Sequence, residues 1–180
     1  MKHTIVALMQ DHPGVLHRVV SLFRRRAYNI DSLTVGRTET PGVSRMTIVI
    51  EGSDVEQVTK QLYRLIEVLK VSDVTSDPTV EREIALIKVH APKSARAELV
   101  AVCTVFGARA VDIGPNSMIV EITGEPSEVD RFLDVVQPFG IKEMMRTGRI
   151  AMIRGSQSHQ AALEVEPRED GPVTSLALAG

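Results

Sequence analysis

Leu8-Met9-Gln10-Asp11-His12-Pro13-Gly14-Val15-Leu16, answered downstream by Tyr28-Asn29-Ile30-Asp31-Ser32-Leu33, carries the chain from a strand through a Pro-Gly turn into a helix and back into a second strand. A helix opening at Pro13-Gly14 leaves its first amide donors unpaired at the positive end of the helix dipole, an environment suited to a carboxylate. Gly14 has no Cβ, so a ligand can come close to the backbone there. Asp11 and Asn29 are expected to flank the spot, with Asp11 balancing an α-ammonium group, so that both ends of an amino acid are addressed. Ile30 supplies an apolar wall and a further amide opposite Gly14. The same residues also describe a plain strand-to-helix turn, with Pro at the first helical position and Asp11 as its cap, and the two readings are compatible.

Outward from this turn, His3 to Met9 reads as a buried strand. Val15, Val19 and Leu22 beside Leu16, Val20 and Phe23 recur at helical spacing. Leu33 and Val35, then Met46, Ile48 and Ile50, alternate on either side of Thr38-Glu39-Thr40-Pro41-Gly42, which predicts a hairpin. Past Gly52-Ser53-Asp54, Val55, Val58, Leu62 and Leu65 form a helical stripe, and Val68 to Val74 one more strand. The order is βαββαβ, the split βαβ or ferredoxin-like plan. Ser76-Asp77-Pro78-Thr79 then breaks the pattern as a linker does. The order repeats: a strand over Glu83 to His90, a helix over Ser94 to Phe106, strands over Ala110 to Ile113 and Met118 to Ile122, a helix from Glu125-Pro126-Ser127-Glu128, and a closing strand region within Ile141 to Ile153. The expectation is an α+β protein of two tandem ferredoxin-like βαββαβ domains, over residues 1–76 and 77–155. Residues 156–180 lack a sustained period and read as a flexible tail.

A chain of 180 residues with 43% hydrophobic residues fills two small cores. Its net charge is −2, and beyond Gly155 four acids face only Arg168, so the preceding body is close to neutral. That argues against a nucleic-acid surface, which needs a concentrated basic field. The six aromatic side chains form no stacking platform either. Arg24-Arg25-Arg26 stands where cations complement the carbonyl end of a helix. The histidines are scattered without metal-ligand spacing, so no metal is expected, although His12 stands where it can tune the turn with pH. Cys103 alone excludes an internal disulfide and reads as a small buried residue in a reducing compartment. Neither a signal peptide nor a membrane span is apparent, which predicts a soluble cytoplasmic protein.

Asp11-His12-Pro13-Gly14-Val15-Leu16, Arg26-Ala27-Tyr28-Asn29-Ile30-Asp31-Ser32-Leu33-Thr34-Val35-Gly36 and Ser44-Arg45-Met46-Thr47-Ile48 together resemble the small regulatory subunit of acetolactate synthase, whose N-terminal part is an ACT domain. The likeness continues through Lys60-Gln61-Leu62, Val80-Glu81-Arg82-Glu83-Ile84-Ala85-Leu86-Ile87-Lys88-Val89 and Pro138-Phe139-Gly140-Ile141 to Arg154-Gly155. The resemblance implies a non-catalytic subunit that activates a large catalytic subunit and confers feedback inhibition by valine or another branched-chain amino acid. It implies a homodimer formed through the ACT domains, with the effector held by Asp11, His12, Pro13, Gly14, Val15 and Leu16 of one copy facing Asn29 and Ile30 of the other. It implies no cofactor on this chain, with thiamine diphosphate, magnesium and FAD on the catalytic subunit. Two other readings are a free-standing amino-acid-responsive regulator of transcription and a small enzyme on the same scaffold. The first requires a helix-turn-helix or basic ribbon, and the second titratable residues converging on one pocket; the sequence offers neither, beyond Asp11 beside His12.

Overall fold

The computed structural model describes residues 2–155 apart from Ser53, so the expected tail lies outside the described residues. The first half contains β1 (Lys2–Gln10), α1 (Val15–Arg25), β2 (Ile30–Arg37), β3 (Val43–Glu51), α2 (Val55–Tyr63) and β4 (Val68–Asp73). The second contains β5 (Thr79–His90), α3 (Arg96–Val105), β6 (Arg109–Ile113), β7 (Ser117–Gly124), α4 (Pro126–Val136), β8 (Ile141–Arg146) and β9 (Ile150–Ile153). Each half is a βαββαβ unit on an antiparallel sheet, with strand orders β2-β3-β1-β4 and β6-β7-β5-β8. The tandem α+β architecture expected from the repeated pattern is therefore present.

Alternation decides which side chains enter each core. On β1, Ile5, Ala7 and Met9 share a face with Met46, Ile48 and Ile50 of β3, and they pack beneath Val19, Leu22 and Phe23 of α1 and Val58 and Leu62 of α2. In the second unit Ala85, Ile87 and Val89 join Met118, Val120 and Ile122 under Leu99, Cys103, Val129 and Phe132. Phe106 meets Phe132 edge to face at 5.4 Å. The start of α4 is fixed by its sequence: Pro126 begins the helix, and Glu125 and Glu128 form a reciprocal capping box.

The closing region of the second unit departs from a single strand. β8 and β9 both run antiparallel to β5, pairing with its Ala85–Val89 and Thr79–Arg82 segments, and a jog at Thr147-Gly148-Arg149 separates them. Gly148 takes a φ of 83°, the left-handed region that a Cβ disfavours. The jog carries β9 onto the helix-free face of the first sheet, where Ala151 and Val74 bury Val6. The chain's own second half thus covers the helix-free face of the first sheet, and Thr4, Leu8, Thr47 and Val49 are buried there as well. The contact is latched by polar ties. The Arg45 guanidinium donates to the Ala151 carbonyl at 2.7 Å, Thr34 donates to the Thr147 carbonyl at 3.1 Å, and Arg149 bridges Thr4 and Glu81.

Candidate effector site

The turn after β1 is built around Gly14, which caps α1 with φ 94° and has nothing within 4 Å of where a Cβ would stand. The backbone is therefore open to the outside. Arg18 N–H closes the first helical bond to the Gly14 carbonyl at 3.1 Å, and Val15 N–H reaches the His12 carbonyl at 3.5 Å. No acidic side chain occupies the first turn, and no side chain caps it. The positive end of α1 is thus left without an internal anion.

The expected residues fall into two groups. Asp11, His12, Pro13, Gly14 and Leu16 are exposed around the turn, whereas the Val15 side chain belongs to the core and only its backbone faces the site. Asp11 does not cap the helix. Its carboxylate pairs with Arg37 at 3.1 Å, and its N–H donates to the Gly42 carbonyl at 2.8 Å, so the end of the β2–β3 hairpin holds the turn in place. The His12 ring lies between the Pro13 carbonyl and the Gln10 side-chain oxygen, each at 3.1 Å. Below the turn, Glu67 accepts from Gln10 N–H through its carbonyl and pairs with Arg18 at 2.8 Å through a nearly buried carboxylate. Arg37, Arg18 and Glu67 were not legible as site residues. Their only signal was complementary charge, at positions that the tertiary fold alone brings together.

Asn29 and Ile30 do not join this turn within one chain. Register sets Gln10 opposite Val43 and Arg37 opposite Ser44 at one end of the sheet, but Ile30 and His3 opposite Ile50 at the other. Seven residues of β3 separate the two ends, roughly 24 Å at strand rise. The expectation that Asp11 and Asn29 flank a common spot therefore fails for a single copy. Both groups nevertheless border β2, an edge strand of the first sheet. Beside that edge the outer face of α1 exposes Leu16 and Val20, each 41% accessible and one turn apart, and β2 exposes Val35.

Other chemistry is sparse. Among the described residues no group of three or more His, Cys, Asp or Glu side chains is placed to hold a metal, and burial pushes the Cys103 thiol up from its ordinary pKa. No described helix is long and apolar enough to cross a membrane.

Comparison with known proteins agrees with this architecture. The family model for an AHAS small subunit-like ACT domain matches residues 5–70, and that for the small subunit of acetolactate synthase matches residues 82–155. The chain is 54% identical over 159 residues to a probable acetolactate synthase small subunit of Archaeoglobus fulgidus, covering 87% of this chain and 99% of that protein. It is 47% identical over 160 residues to the acetolactate synthase small subunit of Bacillus subtilis, covering 87% and 93% respectively. The crystal structure of the acetolactate synthase small subunit from Thermotoga maritima superposes with a TM-score of 0.79 at 38% identity, covering 87% of this chain and 99% of that one. On the strength of both family models and these relatives, the chain belongs to the acetolactate synthase small-subunit family.

Proposed function

We propose that this chain is the non-catalytic regulatory subunit of a cytoplasmic acetolactate synthase, and that it binds valine or a related branched-chain amino acid between two copies of its first unit. The observation that carries the reading is the position of the two half-sites at opposite ends of one free strand edge. Strands that pair antiparallel across a two-fold axis run in opposite directions, so a β2-to-β2 contact sets the Gly14 turn of each copy against Asn29 and Ile30 of the other. The exposed Leu16 and Val20 then face their counterparts and exclude water from the joint. The ligand carboxylate meets the open amides of α1 and its ammonium meets Asp11, while Ile30 contacts the side chain. Arg37 already engages Asp11, so the carboxylate is positioned before the ligand arrives.

Catalysis belongs to the large subunit, which carries thiamine diphosphate, magnesium and FAD in this reading. Effector binding changes subunit geometry and hence the contact with the large subunit, a coupling of about 1 to 3 kcal/mol. The test is reconstitution with the large subunit. Gly14→Asp places a carboxylate where the ligand's own must sit, so valine inhibition should vanish while activation of the large subunit persists. Undiminished inhibition would remove the site from this turn.

A further inference from the structure

The outer side of α1 carries charge that the described residues leave unmatched. His17, Arg18, Ser21, Arg24 and Arg25 recur at three- and four-residue intervals and so line one side of the helix. With Leu65, just ahead of β4, they wall a groove of about 530 Å³ that no carboxylate side chain lines. Arg18 is paired with Glu67, but Arg24 and Arg25, both exposed, enter none of the ion pairs among the described residues. The carbonyl end of α1 accounts for cations in the last turn. It does not account for a basic strip that continues back through Ser21 to Arg18, toward the end of the helix where the dipole disfavours positive charge.

We propose that residues 164–170 of the same chain lie in this groove. Charge selects that occupant first. Glu164, Glu166, Glu169 and Asp170 stand there against Arg168 alone, whereas the preceding body is close to neutral. In an extended segment Glu164 and Glu166 fall on one side about 7 Å apart, near the roughly 5 Å rise of one helical turn, so they meet cations on successive turns of α1. Reach selects it second. β9 ends at Ile153, and Arg154 N–H donates to the Pro78 carbonyl at 2.7 Å, a few residues past Val74, which is itself tied to Thr4. The chain leaving α1 enters β2 at Ile30, opposite Ile50, and Ile50 also faces His3. Gly155 and the last turn of α1 thus stand at the same end of the first sheet, near its edge strand β4. Passing round that edge crosses one sheet layer and one helix layer, about 20 Å, and the nine residues 156–164 span up to about 30 Å. Leu16 and Val20 line no part of the groove, so a segment lying there leaves them free. Seated in this way, the acids mask a basic strip that otherwise attracts free polyanions.

The experiment uses the full chain, isotopically labelled for NMR, with Val165→Cys carrying a nitroxide; Cys103 is buried and stays unlabelled. At low salt the nitroxide should broaden the amide signals of residues 17–25 and Leu65 more than those of any other surface. At about 1 M salt, where charges are screened within about 3 Å, the broadening should be lost. Arg24→Gln with Arg25→Gln should abolish it at low salt, and circular dichroism checks the fold. Glu164→Gln with Glu166→Gln, which touches neither described unit, should weaken it as well. Broadening that is absent, that falls on another surface, or that survives both salt and the arginine changes overturns the proposal. So does broadening unchanged by the two glutamate changes. Equal broadening of an isotope-labelled chain by a nitroxide carried only on a second, unlabelled chain assigns the groove to another copy's acids and overturns it too.

Discussion

Asn29 precedes β2 as an exposed residue at the far end of α1 from Gly14. The chain reaches it through Ala27, which adopts φ 55° although it carries a Cβ, at a cost of about 1–2 kcal/mol. In the proposed dimer the Asn29 amide faces the bound amino acid or the opposing turn. Asn29→Ala should then weaken valine binding by about 1 to 3 kcal/mol through the partner left unpaired. Because Asn29 is exposed, thermal stability should hardly change. Calorimetry returning the unmodified affinity would exclude the residue from the site. The Pro-Gly pair was legible because only Gly tolerates the observed φ of 94° without strain. Arg37 was not: its pairing with Asp11 spans 26 positions and depends on the register of the β2–β3 hairpin.

Element periods were the most legible layer. The alternation of Met46, Ile48 and Ile50 and the helical spacing of Val15, Val19 and Leu22 each placed the correct residues in the core. The run from His3 to Met9 read as a buried strand, and Thr4 to Met9 are buried with His3 only partly so, but nothing local indicates that the second cover is β9. The jog at Thr147-Gly148-Arg149 resembles any turn until the latch is seen. That latch makes a prediction. Arg45 is held partly buried, which pushes its guanidinium down from its ordinary pKa, and its bond to Ala151 joins the two units. Arg149 does the same through Thr4. With both ties intact the described units should unfold in one transition. Arg45→Ala with Arg149→Ala removes hydrogen bonds to charged groups worth roughly 1.5–3 kcal/mol each. Scanning calorimetry should then resolve two transitions or a markedly lower first one. A single transition at the original temperature would mean that apolar burial around Val6 and Ala151 suffices without the latch.

For the whole molecule, assembly and ligand recognition reduce to one geometric condition. In the proposed dimer the two halves of the effector site, roughly 24 Å apart along the sheet in one copy, meet only across the two-fold axis, so a monomer would offer each ligand half of its contacts. Disrupting the joint should therefore abolish sensing without touching any residue that contacts the ligand. Val20 tests this, because it stands on the outer face of α1, exposed and a full turn beyond Leu16. Val20→Glu sets two carboxylates against each other in the proposed dimer while leaving the core of a single copy intact. The variant should sediment as a monomer at concentrations where the unmodified chain is at least a dimer, and its valine affinity should fall together with dimerisation. Raising the protein concentration should restore both along one curve, since linkage ties ligand affinity to the dimer fraction. A monomeric Val20→Glu chain that still bound valine at full strength would place the site within a single copy and break the connection between dimer geometry and feedback.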